Sequence, residues 1–575
     1  MQILHAGPLA PTEKCVAPSA VKSRITPLIP NALDEAGIEK QLADFANCAS
    51  RAQEAGYDGV EIIGSAGYLL STFLVKKTNQ RTDQWGGSYE NRMRFPVEVV
   101  RRIRAAVRDD FIVIFRIAAM DMLQDGMSWD EIVQLGQAVE QTGANIISTH
   151  FTWHESAVPT ISTRVPRAAF AGVTGRLRKE LGIPTITSNR INMPEVAEKV
   201  LADGHADLVS MARPMLADAE FVNKALEGRE DEINTCIACN QACLDHTFTG
   251  QEVSCLVNPR ACHETLLNYE QTDAPKRIAV VGAGPAGLGY ATVAAQRGHA
   301  VTLFDSADEI GGQFNLAKRV PGKEEFSETL RYYQRMIEVL GIDLQLNTHV
   351  DAARLENADF EEVVIATGIK PRVPQLEGID HHSVVSYIDV IRGNKPVGHK
   401  VAIMGAGGIG FDVAELIMHK GTSAAMDLDV FAREWGVDFK HHPRGGVTGV
   451  EPVVEKADRE VTLLQRKATP VGRGLGKTTG WTHRLSLVRR DVKMINAVEY
   501  LKIDDEGLHI TIDHKPHVLE VDTIIVCAGQ LPLRTLYDEL RNSGLNVSLV
   551  GGAYEAGELD AKRAINQASY LAAAV

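Results

Sequence analysis

The amino-acid sequence predicts an α/β chain. A (β/α)8 TIM-barrel unit comes first, then a cysteine-rich segment, then two Rossmann-like nucleotide-binding domains. Three observations predict this. Apolar strand-like runs alternate with helical patterns through residues 1–235. Two glycine-rich turns, Gly282-Ala-Gly284-Pro-Ala-Gly287 and Gly405-Ala-Gly407-Gly-Ile-Gly410, each follow an apolar run. Before them stands Cys236-Ile-Ala-Cys239-Asn-Gln-Ala-Cys243, followed by Cys255.

The runs in the first part are Gln2-Ile-Leu, Gly59-Val-Glu-Ile-Ile, Ile112-Val-Ile-Phe, Asn145-Ile-Ile-Ser, Thr185-Ile-Thr and Asp207-Leu-Val-Ser-Met. Continuous apolar strands separated by helices argue for a parallel sheet covered on both faces. Polar residues stand just past these runs: His5, Tyr68, Arg116, His154, Arg190 and Arg213. In a TIM barrel the loops after the strands build the active site, and the last two strands commonly hold a phosphate. The count is about six strands where a closed barrel has eight, so the barrel is expected to be N-terminally incomplete. Arg92 is expected to be a buried structural ion.

Thiolates are soft ligands, and C-x2-C-x3-C-x11-C suits an iron–sulfur cluster or a tetrahedral zinc. The spacing is not that of paired zinc-ribbon knuckles. A position between two redox modules favours a one-electron relay, hence iron–sulfur. Cys262 falls outside the pattern.

Lys276-Arg-Ile-Ala-Val-Val runs into the first glycine turn, and Asp305 ends the next strand. Strand, tight turn, helix and acid in register make a dinucleotide site: amides for the pyrophosphate, a carboxylate for the ribose. The second glycine turn follows Lys400-Val-Ala-Ile-Met. The strand after it ends in Arg466-Lys467, and two cations in place of an acid favour NADPH. A long insertion, about 421–458, interrupts this unit. Its His441-His442 and Gly445-Gly446 are read as parts of a surface loop. Val547-Ser-Leu-Val-Gly-Gly552 reads as a strand returning to the first nucleotide domain.

The composition excludes several classes. Lys and Arg number 60 against 74 Asp and Glu, a net charge of −14, and such a chain repels phosphate backbones. No run of about 18 apolar residues suggests a membrane span, and the start shows no signal peptide. Eight cysteines, four of them in the cluster, suit a reducing compartment. The expectation is a cytoplasmic monomer with neither nucleic-acid nor membrane partner.

Asp83-Gln-Trp-Gly-Gly-Ser88 with Asn91-Arg92-Met-Arg-Phe95 resembles the old yellow enzyme signature. With the cysteine stretch and both glycine turns, the chain resembles the bacterial NADPH-dependent 2,4-dienoyl-CoA reductases, in the old yellow enzyme / trimethylamine dehydrogenase-like family. The resemblance implies FMN in the barrel, a 4Fe–4S cluster on Cys236, Cys239, Cys243 and Cys255, FAD next and NADPH last. It implies that Gln2 and Arg116 meet the flavin ring and that Arg190 and Arg213 hold its phosphate. Tyr68, in Gly64-Ser-Ala-Gly-Tyr68, matches the proton donor. His154, in Thr152-Trp-His-Glu155, matches the histidine that polarises the thioester. Gly311-Gly312-Gln313 matches FAD-type domains, so Gln313 joins Gly282, Gly284, Gly287 and Asp305 there. Gly405, Gly407, Gly410, Arg466 and Lys467 are assigned to NADPH.

The implied reaction is reduction of a 2,4-dienoyl-CoA to an enoyl-CoA in unsaturated fatty-acid β-oxidation. Electrons pass from NADPH to FAD, cluster, FMN and substrate. Three alternatives stand beside it: a related ene-reductase, an amine dehydrogenase of the same architecture, and an NADPH-dependent electron-transfer flavoprotein. The expected domains are 1–235 for FMN, 236–275 for the cluster and linker, 276–390 with 530–575 for FAD, and 391–529 for NADPH. The missing strands imply a weak FMN site beside intact FAD and NADPH domains, which flavin stoichiometry measures.

Overall fold

A computed structural model describes residues 1–557 and 560–575. The contacts divide the chain into two units. The first comprises Met1–Ile161, Val165–Met211 and Asp427–Val453; the second comprises Ser162–Arg164, Ala212–Met426 and Val454–Val575.

The first unit is built on a parallel sheet. Its strands are Gln2–Ile3, Gly59–Gly64, Ile112–Met120, Ile146–Phe151, Thr185–Thr187 and Leu208–Val209, each beside the next in that order. These are the apolar runs read from the sequence. Val113, Phe115 and Ile117 are fully buried, and burying such a side chain contributes roughly 1.5–3 kcal/mol. Helices connect the strands and start on side-chain caps. Asp34 caps Glu35–Glu54 and Ser88 caps Tyr89–Ala106. Ser128 and Glu131 form a reciprocal capping box on Trp129–Gln141, satisfying amides that the first helical turn leaves free. Arg92 is buried, donating to the carbonyls of Leu74 and Gly87 and pairing with Glu131 at 2.7 Å.

The insertion corrects the surface-loop expectation. Residues 427–453 belong to the first unit, although in sequence they interrupt the second nucleotide domain. The helix Leu428–Trp435 buries Phe431 and Trp435, and Phe439 and Phe431 lie against Phe170. His442 is buried against the Trp129 ring, with both ring nitrogens unpartnered; His441 is exposed and bonds Asp438. Gly445 exchanges backbone hydrogen bonds with Met122 and Met127, both 2.8 Å. Its φ is +66°, and a Cβ there would stand 2.0 Å from the Leu123 carbonyl oxygen. Gly445→Ala is therefore expected to destabilise this unit by about 2–3 kcal/mol, read as an earlier midpoint in chemical denaturation.

The second unit carries two five-stranded parallel sheets. The first runs Asp343–Gln345, Ala300–Phe304, Arg277–Val281, Glu362–Ile365, Asn546–Leu549. The last of these is the returning strand expected near the C-terminal end. The second runs Val384–Ser386, Thr523–Val526, Lys400–Met404, Glu460–Leu464, Lys493–Ile495. In each, the strand before the glycine turn is central and the strand order reverses beside it, where open α/β sheets bind their ligands. Residues 212–235, expected with the barrel, cluster with this unit. Their Ala217 packs with Ile237, Leu256 and Phe314. Among the described residues, no helix is long and apolar enough to cross a membrane.

Candidate active site and cofactor sites

In the first unit the chain leaves the strand Gly59–Gly64 through Ala66 and Gly67, both at positive φ, and reaches Tyr68 at the start of the helix Leu69–Leu74. A Cβ on Gly67 would come 3.0 Å from the Trp153 ring. The next strand but one ends at Phe151, and Thr152 at φ +103° turns the chain so that Trp153 bridges to Ala66. This pairing brings the Tyr68 hydroxyl 2.9 Å from His154 Nε2, with the rings edge to face. Burial raises the Tyr68 phenol above its ordinary 10.0 and lowers His154 below its ordinary 6.5. At neutral pH the pair is thus a protonated phenol beside an uncharged imidazole. Trp153 is buried and donates its indole N–H to Asp121 at 2.8 Å. Burial pushes the Asp121 carboxyl up to about 6, against the Met127 amide and the Trp153 indole, which bond to it. His154 lines a small cavity with Lys22, Ser23, Gly67, Lys77 and Glu155.

Deeper in the sheet Glu61 accepts a hydrogen bond from Gln2 and lies 3.5 Å from Arg116 Nη1. His150, on the adjacent strand, is driven down to about 3 by burial and by the Arg116 charge. The buried Ser65 Oγ, Ser148 Oγ and His150 Nδ1 have no partner. Such orphaned polar atoms suit the polar edge of a flavin ring, because buried polar groups need partners. Glu61, Asp121 and His150 were not anticipated. Their one signal is a polar residue within or at the end of an apolar strand run. Arg190 is buried at φ +58°, its Nε donating to the Val165 carbonyl at 2.9 Å. Arg213 belongs to the second unit, 2.5 Å from Asn240 Oδ1. The contacts therefore assign the two arginines expected at one phosphate to different units.

Cys236, Cys239, Cys243 and Cys255 line one small cavity, walled by Leu216, Ile237, Ala242, Leu256 and Val257 with Arg213 and Asn240. Ala238 and Asn240 hold positive φ, which costs a non-glycine residue about 1–2 kcal/mol and turns the loop so that its cysteines face inward. Burial, with the other cysteines nearby, pushes Cys255 up to about 12 and Cys239 well above the ordinary range. Such thiols give up their protons only to a strong Lewis acid. A mononuclear zinc, with bonds of about 2.3 Å, needs its sulfurs about 3.8 Å apart. Among the described residues, the groups that close to within 4.8 Å are His381/His382/Asp505 and Asp504/Glu506/His509, and not these thiols. The wider quartet fits a multi-iron cluster. Cys262 is exposed and outside the lining.

Both glycine turns have the shape a dinucleotide needs. A Cβ on Gly282 would stand 2.4 Å from the Ala366 carbonyl oxygen, and one on Gly287 1.8 Å from the Gly282 oxygen. Gly405 and Gly410 repeat the pattern at 2.2 Å from the Cys527 oxygen and 2.0 Å from the Gly405 oxygen. Gly284 and Gly407, at the helix starts, face open space, where amides are free for a pyrophosphate. Asp305 accepts from the Ala283 and Ala307 amides. Gly282, Gly284, Asp305, Gln313 and Gly368 line a cavity of about 480 Å³ that extends to Gly408 and Ile409 of the second turn. Arg466 and Lys467 are exposed just past the strand Glu460–Leu464.

The family model for the NADH:flavin oxidoreductase / NADH oxidase family matches residues 2–232, and that for pyridine nucleotide-disulphide oxidoreductases matches residues 276–553. A metal reductase from Desulforamulus reducens is 37% identical over 94% of this chain and 80% of its own length. The chain belongs to the NADH:flavin oxidoreductase / NADH oxidase family. Within that family, an NADH oxidase from Thermoanaerobacter brockii is 34% identical over 97% of this chain and 82% of its own. The structure of a 2-naphthoyl-CoA reductase in complex with 2-naphthoyl-CoA aligns with a TM-score of 0.88 at 29% identity, over 100% of this chain and 84% of that one. The chain is an NAD(P)H-dependent flavin oxidoreductase, with a TIM-barrel-like FMN domain and a pyridine-nucleotide domain. The two matched domains imply FMN, FAD and a nicotinamide cofactor.

Proposed function

We propose that the chain reduces 2,4-dienoyl-CoA thioesters to enoyl-CoA with NADPH. The observation that carries this is the Tyr68–His154 pair, a neutral acid and a neutral hydrogen-bond donor 2.9 Å apart beside a cavity. With a conjugated thioester in that cavity, His154 donates its ring N–H to the carbonyl oxygen, where enolate charge develops. Tyr68 gives its phenolic proton to the carbon α to that carbonyl. Lys22 and Lys77 on the cavity wall suit the anionic tail of an acyl-CoA. The naphthoyl-CoA complex of a relative supports the same substrate class.

In this reading Gln2, Arg116 and Arg190 of the first unit hold FMN, and Cys236, Cys239, Cys243 and Cys255 hold a 4Fe–4S cluster. Gly282, Gly284, Gly287, Asp305 and Gln313 hold FAD. Gly405, Gly407, Gly410, Arg466 and Lys467 hold NADPH. When bound, these groups supply the electron transfer and the hydride.

The test is anaerobic incubation of the full chain with NADPH and a 2,4-dienoyl-CoA, with mass analysis of the acyl-CoA. One enoyl-CoA per NADPH supports the reading. NADPH oxidation with the dienoyl-CoA unchanged overturns it in favour of electron transfer to another acceptor. Replacing Arg466 and Lys467 by alanine removes the cations offered to the 2′-phosphate. Hydrogen bonds to a charged group contribute about 1.5–3 kcal/mol. The KM for NADPH is therefore expected to rise about 10- to 100-fold while that for NADH changes little, measured by steady-state kinetics with both coenzymes.

A further inference from the structure

The wall of the large cavity in the second unit holds a polar group that the fingerprints do not account for. Ser162 and Thr163 line the cavity, are more than nine-tenths buried, and have hydroxyls with no hydrogen-bond partner. They leave the barrel part of the sequence for three residues and belong to the second unit, as does Arg164. Arg164 pairs with Glu415, and its Nη2 lies 2.7 Å from His483 Nδ1. Glu415 Oε1 lies 3.2 Å from the same His483 nitrogen.

Three arguments say what this wall is shaped for. First, His483 Nδ1 faces both the Arg164 guanidinium, which only donates, and the Glu415 carboxylate, which only accepts; the arginine contact is the shorter, 2.7 Å against 3.2 Å, and in the tautomer that accepts from it the ring proton sits on Nε2. Burial and the Arg164 charge lower the His483 pKa, so the ring is neutral and keeps that single N–H. Burial alone would raise the Glu415 carboxyl, but the Arg164 charge beside it outweighs burial, and the group is held down at about 2. Second, Glu415 lies on the helix Gly408–Met418 that the second glycine turn opens. At 1.5 Å per residue it is roughly 10 Å along the axis from the pyrophosphate position, about the reach of a nicotinamide riboside. Third, the same cavity touches Gly282, Gln313 and Gly368 on the flavin side. A ring placed there has a flavin beside it.

We propose that Ser162, Thr163 and His483, oriented by Arg164 and Glu415, form the receptor for the carboxamide of the dihydronicotinamide ring. A primary amide offers one carbonyl acceptor and two N–H donors. The His483 Nε2–H meets the carbonyl, and the two orphaned hydroxyls accept from the two amide N–H groups. Arg164 and Glu415 act through His483 and are positioning residues.

The test uses the full chain with ferricyanide as acceptor, so it does not depend on the dienoyl-CoA reading. NADPH is compared with its reduced 3-acetylpyridine analogue, which keeps the carbonyl and lacks the amide N–H groups. In the double variant Ser162→Ala, Thr163→Val, the KM for NADPH is expected to rise about tenfold, the size of one lost buried hydrogen bond. The analogue's KM is expected to stay within about twofold, with FAD per chain unchanged. Thr163→Ser, which keeps the hydroxyl, is expected to behave as wild type. Glu415→Gln is expected to raise the KM for both coenzymes, because it loosens the donor that meets the carbonyl. An equal rise for both coenzymes in the hydroxyl variant would overturn the proposal. So would an unchanged KM, or loss of FAD with normal coenzyme binding, which would assign the hydroxyls to the flavin.

Discussion

Replacing Cys239 by serine is expected to abolish dienoyl-CoA reduction while NADPH-driven reduction of ferricyanide stays close to wild type. The two activities separate because the dinucleotide turns and the cysteine loop are built from different parts of the second unit. Burial raises the Cys239 thiol well above its ordinary range, so its replacement falls in an enclosed part of the loop. A serine hydroxyl there is a poor ligand for a soft metal. Purified variant and wild type are compared by iron and sulfide content, by visible absorbance, and by both assays. If the variant still reduces the dienoyl-CoA at the normal rate, the cysteine site has no part in the electron path. If ferricyanide reduction also disappears, the loop instead supports the flavin domain.

Replacing Tyr68 by phenylalanine is expected to lower turnover roughly 10²- to 10⁴-fold, the range for removing a general acid, with substrate affinity largely kept. The ring stays, so the helix Leu69–Leu74 keeps its start, and the wall around Gly67 and Trp153 is unaltered. His154 loses its 2.9 Å partner but no charge changes. The pH profile sharpens the test. The Tyr68 pKa is raised and the His154 pKa lowered by burial. Wild-type kcat is therefore expected to be flat from about pH 7 to 9, with both groups in their working protonation states. A kcat that falls as the pH rises through the range below 6.5 would mean that His154 works as a cation. Full activity of the variant at every pH would remove Tyr68 from the chemistry.

Much of this organisation was legible because some positions accept one residue type. A Cβ at Gly282 or Gly410 would drive into a carbonyl oxygen, so a glycine turn after an apolar run has few other readings. The six strands were legible for a similar reason: runs such as Ile112-Val-Ile-Phe bury nearly every other side chain. The closeness of Tyr68 and His154 was not written in their spacing. It depends on two non-helical turns, at Ala66 and Thr152, and came from the resemblance. Glu61, Asp121 and His150 were hidden because a polar residue in a buried strand breaks the pattern without saying why. The insertion's packing role was carried by Phe431 and Trp435, four residues apart on the face of the helix Leu428–Trp435, with Phe439 beyond it, in a stretch whose glycines, prolines and charges otherwise read as a loop. For Ser162 to Arg164 there was no signal at all, since three polar residues in a long loop look like solvent.

The placement of residues 427–453 with the first unit bears on how the chain is made. A nascent chain folds roughly as it leaves the ribosome, at roughly 5–20 residues per second. The first unit nevertheless stays short of Phe431, Trp435 and Gly445 until synthesis has passed through the first nucleotide domain and into the second. Its last part arrives some tens of seconds after Met211. During that interval Phe170, Trp129 and the amides around Met122 are bare, a natural target for a chaperone. A fragment cut at residue 235 would keep that bare surface permanently, and the catalytic half cannot be transplanted as a contiguous cassette.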